Sequence, residues 1–289
     1  MPLTETHGSA RASGAPTAAE KEVSLQQWLI DHGSALIGFS GGVDSTYLAC
    51  VALETLGASR VLAVTGVSPS LSSEQRALAG DIATRWRLPW LVIDTGELDD
   101  PHYAANPTNR CYFCKHELWS KLVPIATTRA LAIVIDGTNA DDLADYRPGA
   151  RAAREHGVAS PLAIVGLTKD EIRTRSRIRG LPTWNQPSAP CLASRLPYGT
   201  PVTTARLQRV ETAELALRSI GVSGDLRVRD YGDMARIEVG AASLSTWLSA
   251  SGRRRIAAAL EGAGYTRVAV DLAGFRSGSL NVLAGIDAA

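Results

Sequence analysis

Two groups of residues in this 289-residue chain could carry chemistry. The first is Ser40-Gly41-Gly42-Val43-Asp44-Ser45, set between an apolar run and a helical pattern. Its glycines let backbone come close to a phosphate, and a helix start behind them aims unpaired N–H groups at an anion. Ser40 and Ser45 add hydroxyl donors. An acid at Asp44, where an anion should sit, makes sense if it helps to hold Mg²⁺. A Walker loop would need a lysine before the last serine, and this one has Asp44 there. The second group is Cys111 and Cys114, in Asn109-Arg110-Cys111-Tyr112-Phe113-Cys114-Lys115 ahead of an expected helix, with Cys191 in Pro190-Cys191-Leu192-Ala193-Ser194-Arg195. Three thiolates can hold a 4Fe–4S cube with one iron left open to an exogenous sulfide, which suits sulfur delivery; a fully ligated cluster serves electron transfer better. Zinc would want a fourth ligand, such as His116 or His102. Cys191 could also act alone as a sulfur donor or persulfide carrier, kept as thiolate by Arg195.

Other charged residues group less tightly. Arg227 and Arg229 alternate on an expected strand, so both leave one face, where they suit a phosphate or carboxylate. Ser194 and Arg195 could hold a phosphate near Cys191. Arg173, Arg175, Arg177 and Arg179 form a basic stretch that reads as a solvated face, with RNA binding as the sharper alternative. Glu211, Glu214 and Glu238 read as caps or salt-bridge partners. Cys50, on an apolar helix face, reads as core.

These residues need a scaffold. Short branched runs over residues 35–40, 61–67, 90–94 and 131–136 read as buried strands. Helices are expected over 20–31, 45–56, 72–85 and 115–129, with possible capping boxes at Ser72/Gln75 and Thr168/Glu171. Strand and helix alternate, as in an α/β doubly wound parallel sheet that binds its ligand at the carboxyl ends of the strands. Beyond a proline-rich connector, a helix over 205–220, a hairpin of 226–229 with 235–239, a helix over 251–263 and a strand over 267–272 make a smaller α+β unit. The expected domains are a disordered leader at 1–19, the sheet domain at 20–200 and a C-terminal domain at 201–289. Hydrophobic residues make up 45% and charged residues 20% of the chain, enough for a sizeable core. The net charge of +1 gives no general pull toward nucleic acid or membrane. No membrane span or signal peptide is legible, so a cytoplasmic protein is expected, with cysteines free for metal or catalysis.

The 40–45 loop resembles the PP-loop ATP pyrophosphatase superfamily, which adenylates a carboxylate or carbonyl oxygen and releases pyrophosphate. That resemblance implies adenine beside Thr65-Gly66-Val67-Ser68. It puts the turn Asp136-Gly137-Thr138-Asn139-Ala140-Asp141-Asp142 on the other side, where Gly137 permits close approach and Asn139 and Asp142 could fix a ribose, a metal or the substrate. Together with the cysteine blocks, Tyr198-Gly199, Leu226-Arg227-Val228-Arg229, Arg236-Ile237-Glu238 and the stretch from Asp271 through Ser277 to Asn281, the pattern is similar to the LarE family. These are ATP-dependent sulfurtransferases that make the nickel-pincer nucleotide cofactor of lactate racemase. The resemblance implies pyridinium biscarboxylic acid mononucleotide as substrate, ATP, magnesium and a 4Fe–4S cluster on Cys111, Cys114 and Cys191 as cofactors, sulfide or another sulfur donor as partner, and a homo-oligomer. It implies catalytic roles for the three cysteines, Ser194 and Arg195, and a substrate-phosphate role for Arg195, Arg227 and Arg229. Members that sacrifice the sulfur of a single cysteine lack the C-x-x-C, and this chain departs from them. The rivals are tRNA thiolation, which the balanced charge argues against, an ammonia-using synthetase, which has no need of clustered cysteines, and a non-enzymatic nucleotide sensor or metal carrier on the same fold, which would bind ATP without releasing pyrophosphate.

Overall fold

The computed structural model describes residues 15–144, 147–187, 189–276 and 278–285. The expected leader lies outside the described residues up to position 14, as does Ser277. Four parallel strands, β1 (Ala35–Gly38), β2 (Val61–Val67), β3 (Trp90–Asp94) and β4 (Ile133–Ile135), stand in the order β3-β2-β1-β4. Ala35 pairs with Val61 on one side and with Ile133 on the other. Because side chains alternate along a strand, each face of the sheet has its own core. Ala35 and Ile37 enter one with Leu25, Tyr47, Leu48 and Ile82, from α1 (Ala18–His32), α2 (Val43–Leu56) and α3 (Ser73–Arg85). Leu36, Val64 and Val134 enter the other with Trp119 and Leu122 of α5 (Arg110–Thr128) and Ala152 of α6 (Pro148–Glu155). The sheet is therefore wound on both faces. The order reverses between β1 and β4, which opens a crevice at their carboxyl ends.

The short α4 (Pro101–Ala104) and α7 (Pro161–Ile164) precede α5 and α8 (Lys169–Ile178) respectively. The Thr168/Glu171 capping box is complete, and so is one at Thr17/Glu20 that starts α1 inside the expected leader. Ser72 caps α3 through its hydroxyl, but Gln75 reaches elsewhere. Helix α5 begins five residues before the expected start, so Cys111 and Cys114 lie within its first turns. It also runs through Pro124, whose ring costs the helix a backbone donor.

After residue 200, α9 (Thr204–Ser219), α10 (Leu244–Leu248) and α11 (Ala250–Gly262) pack on a second sheet. Its strands β5 (Leu226–Tyr231) and β6 (Met234–Val239) are antiparallel, and β7 (Arg267–Val270) runs parallel to β6. A short α12 (Ser279–Leu283) follows. A separate apolar cluster of Tyr103, Leu192, Ala193, Leu196, Leu207 and Val210 lies at the seam between the two sheets' units.

The basic stretch on α8 is not a free cationic face. Arg175 and Arg179 both bind the carboxylate of Glu22 from α1, with N–O distances of 2.6–3.1 Å, and Tyr47 donates to it at 2.7 Å. Arg179 also pairs with Glu54, and Arg173 donates to Gln186 O at 3.0 Å. Burial alone would raise the Glu22 carboxyl, but those three donors hold it down, from 4.5 to about 2. A depressed carboxyl stabilises the fold above its unfolded value and loses that contribution as pH falls through the folded one. Replacing Glu22 by Gln at pH 7 should cost about 3 kcal/mol, because two guanidinium groups then lose their carboxylate. Urea denaturation should show that gap narrowing as pH drops from 4.5 towards 2.

Candidate active site

The 40–45 loop closes β1 onto α2. Gly41 has φ +71° and sits so close to α3 that a β-carbon there would lie 2.9 Å from Ala79 Cα. Gly42 caps α2 with no side chain of its own, and a β-carbon on it would meet only Ser40 Oγ, at 3.4 Å. The space above Gly42 is thus open, and the first amides of α2 face it without a side-chain cap. Ser40 Oγ and Ser45 Oγ are 3.0 Å apart, and Gln75 Nε2 donates to Ser40 O at 2.5 Å. Asp44 Oδ2 pairs with Lys169 Nζ at 2.5 Å, while Asp44 Oδ1 is buried with no hydrogen-bond partner among the described residues.

The loop after β4 meets this one. A β-carbon at Gly137 would lie 3.0 Å from Ser45 N, so glycine there lets the two turns touch. Asn139 is buried, and its Oδ1 accepts from Asp141 N at 3.0 Å and Asp142 N at 3.3 Å. Asp142 accepts from Asn139 N and pairs with Arg147 at 2.5 Å; burial raises its carboxyl. Thr65 and Gly66 have packing work instead. Thr65 Oγ1 donates to Phe39 O at 2.6 Å and accepts from Trp90 Nε1 at 2.9 Å. A β-carbon on Gly66 would collide with Leu118 at 2.8 Å.

The cysteines converge at the same edge of the sheet. Cys111 and Cys114 share a face of α5. Cys191 precedes a turn held by Leu192 N to Ser70 O, 2.8 Å, in the loop after β2. Cys114 and Cys191 pack on the seam cluster. Cys111 keeps solvent access although protein surrounds it, and that burial raises its thiol, against Arg110 and with Cys191 adding to the rise. Burial raises the Cys114 thiol too, helped by Glu97 and Cys191. Arg110, buried, donates to Asn106 and to Ala193 O at 3.0 Å, tying the two cysteine segments together. Among the described residues, no three His, Cys, Asp or Glu side chains gather to grip a single metal ion. His116 sits 3.1 Å from His156, and His102 bonds Asp100 and stacks on Phe113. Cys50 is core, with burial pushing its thiol up to about 12.

Arg195 is buried among Glu214 (2.9 Å, twice), Pro190 O (2.6 Å), Cys191 O (3.1 Å) and Ser194 Oγ (3.1 Å). It works as an anchor for the Cys191 turn. Arg229 donates to Ser194 O at 2.9 Å, Glu238 at 2.6 Å and Ser279 at 2.9 Å. Arg227 stacks 4.9 Å over Phe275, and burial together with nearby Arg195 lowers its guanidinium to about 10. Arg227 and Arg229 thus share one face, but it is buried against the Cys191 turn. A cavity of about 250 Å³ is lined by Gln75, Pro190, Arg195, Glu211, Glu214 and Arg227. It runs from the neighbour of the phosphate loop to the neighbours of Cys191. Sequence reasoning missed Lys169, Arg110, Glu97 and Gln75. Only the lysine missing from the loop was a signal.

Two glycine substitutions separate scaffold from cradle. Gly41→Ala should lower stability by about 1–3 kcal/mol, since both its φ and Ala79 oppose a side chain. Gly42→Ala should cost less than about 1 kcal/mol while filling the open space. Thermal melts of the two variants check both.

No family model matches the chain. An uncharacterized protein of Synechocystis sp. is 43% identical over 258 residues, covering 89% of this chain and 96% of its own. The pyridinium-3,5-bisthiocarboxylic acid mononucleotide synthase of Lactiplantibacillus plantarum is 34% identical over 265 residues, covering 92% of this chain and 95% of that protein. An uncharacterized protein of Methanocaldococcus jannaschii is 30% identical over 204 residues, 71% of this chain and 77% of its own. Matched to that synthase over nearly the whole length of both, the chain belongs to the LarE family.

Proposed function

We propose that this protein is a cytoplasmic ATP-dependent sulfurtransferase acting on pyridinium biscarboxylic acid mononucleotide in nickel-pincer cofactor biosynthesis. The observation that carries the reading is the convergence of an open phosphate loop and three cysteines on one edge of one sheet. A substrate carboxylate attacks the α-phosphorus of ATP, giving an acyl-adenylate and pyrophosphate. A sulfur nucleophile then attacks the acyl carbon, AMP leaves, and a thiocarboxylate remains; a second round gives the dithio product.

The chain's residues divide that work. The Ser40 and Ser45 hydroxyls and the first amides of α2 receive pyrophosphate, with Asp44 on magnesium. Gly137, Asn139 and Asp142 line the nucleotide side, and the backbone of Thr65 and Gly66 meets the adenine. Arg227, which lines the cavity, would bind substrate phosphate or carboxylate, where an anion would offset both its burial and the nearby charge of Arg195, while Arg229 is held by Glu238, Ser194 and Ser279 behind it. Ser194 and Arg195 set the position of Cys191. Cys111, Cys114 and Cys191 would hold a 4Fe–4S cluster. The support for that donor set is that Cys111 and Cys114 each feel the charge of Cys191, and that Cys114 and Cys191 pack on one apolar cluster, so three thiols lie near one another as such a cluster would need. With three protein ligands, such a cluster supplies an open iron able to carry a replaceable sulfide.

Transfer RNA thiolation gains less from α8 than four arginines suggest, because Arg175 and Arg179 are spent on Glu22. A homo-oligomer is part of the proposal, supported by exposed Val268, Leu272 and Val282 in the C-terminal unit.

The test is anaerobic protein incubated with ATP, Mg²⁺, sulfide and the biscarboxylate nucleotide. AMP, pyrophosphate and more than one thiocarboxylate per chain, with Cys191 intact by mass, are expected. Dehydroalanine at Cys191, or reconstituted protein without cubane spectra, overturns the cluster-borne version. Arg227→Ala should raise KM for the nucleotide roughly tenfold to a hundredfold, the loss of one charged hydrogen bond.

A further inference from the structure

Among the described residues the buried carboxylates face cations, with one exception. Glu22, Asp230 and Glu238 are at most 5% exposed, and each takes guanidinium groups from two arginines. Glu97 is 3% exposed and makes no ion pair among the described residues. Its Oε1 accepts from Ser68 Oγ at 2.5 Å, while its Oε2 is buried with no hydrogen-bond partner among the described residues. A buried carboxylate is costly unless it is paired or holds a metal, and an oxygen left bare in this way marks a place where an ion belongs. Glu97 opens the single turn Glu97–Asp99 that follows β3. Gly96 N, just before it, donates at 2.8 Å to Glu117 Oε1, one turn of α5 beyond Cys114. Ser68, which holds the carboxylate, also accepts from Ser70 N at 3.1 Å. Ser70 O docks the Cys191 turn through Leu192 N, and Ser70 Oγ bonds the buried Tyr103 hydroxyl at 2.7 Å. Leu98 packs on the apolar cluster that Cys114 and Cys191 also touch. The carboxylate is thus tied both to the helix that bears Cys114 and to the turn that bears Cys191. In keeping with that placement, its charge helps burial to raise the Cys114 thiol.

Resting on the iron–sulfur reading above, we propose that Glu97 is a fourth, exchangeable protein ligand of the site: its Oε2 closes the iron that Cys111, Cys114 and Cys191 leave open, until hydrosulfide displaces it. The exchange balances. Hydrosulfide brings one lone pair and one negative charge to the iron, and the carboxylate leaves with its own, so neither oxidant nor reductant is needed. A carboxylate is a hard donor, and a thiolate-bound iron favours the softer sulfide, so the exchange runs forward whenever sulfide is supplied. A fourth cysteine would hold that iron too firmly and suit electron transfer instead. Ser68 keeps the displaced carboxylate at hand, ready to close the iron again once its sulfur has gone to the substrate. Glu97 thus guards a labile iron between turnovers without blocking its chemistry.

The experiment compares anaerobically reconstituted wild type with Glu97→Gln, first shown to be folded by circular dichroism. Glutamine keeps an oxygen for Ser68 and removes the charge of the ligand. In wild type carrying carboxyl-labelled glutamate, pulsed electron–nuclear double resonance of the reduced cluster should show a strongly coupled carboxyl carbon. Hydrosulfide should abolish that coupling, and the measurement stands whether or not the variant folds. Glu97→Gln should lack the coupling and lose one iron on mild oxidation, leaving the resonance of a three-iron cluster. It should also take up hydrosulfide at about a tenth of the concentration that wild type needs, because no carboxylate competes for the iron. A wild-type cubane with no coupled carboxyl carbon overturns this inference alone. So does a Glu97→Gln protein that keeps its iron and takes up hydrosulfide as wild type does. A wild-type protein that forms no cubane overturns the cluster reading, and this inference with it.

Discussion

The arrangement of this molecule hangs on a guanidinium sealed from water. Arg195 is 5% exposed, and its hydrogen bonds join two carbonyls of its own turn to the carboxylate of Glu214 on α9. Glu214 in turn accepts Val228 N of β5 at 3.0 Å. One ion pair therefore fastens the Cys191 turn, α9 and the second sheet to one another. A second buried carboxylate, Asp230, repeats the logic at the other end of β5, held by Arg206 at 3.0 Å and Arg209 at 2.6 Å. Enclosed pairs of this kind add little net stability, but removal of either partner is costly. What they supply here is register: α9 can lie on β5 in one way, and the turn bearing Cys191 is positioned with it.

That rigidity explains how the two chemical groups come to share one edge. In a parallel sheet every strand points the same way, so the turns after β1, β2, β3 and β4 all emerge together. The phosphate loop follows β1, and the start of α5 with its two cysteines comes after β3. The third cysteine comes from beyond the sheet altogether and is docked on the turn after β2 through Leu192 and Ser70. Arg110 closes the arrangement from beneath by reaching Ala193 O from the first turn of α5.

Features whose cause is local were legible in the sequence. The strands β2 and β3, the Thr168 cap and the strand-to-helix turn at 40–45 all follow from patterns a few residues long, and they stand where expected. The start of α5 was not legible, because Asn109 makes no side-chain cap and Arg110 is followed by Cys, Tyr, Phe and Cys, which propensity does not favour. Features made by distant partners were hidden. Glu22 lies 153 residues from Arg175, so the basic stretch of α8 looked like a solvated face. The partners of the Thr65 hydroxyl, Phe39 O and Trp90, stand 26 and 25 residues away, so nothing local showed that it was taken. Arg227 and Arg229 were rightly read as sharing a face, but alternation cannot tell whether that face is wet or covered.

The seam also governs when the three thiols meet during synthesis. Cys111 and Cys114 belong to a helix that packs on the first sheet, and domains tend to fold in the order they are made. The turn of Cys191 takes its place only when Arg195 finds Glu214, and the seam cluster only when Leu207 and Val210 arrive. Until residue 214 has left the ribosome, Cys191 has no ion pair to set its turn beside Cys111 and Cys114. The three thiols therefore come together only once the second unit has begun to fold, although all three are in the chain before it is complete.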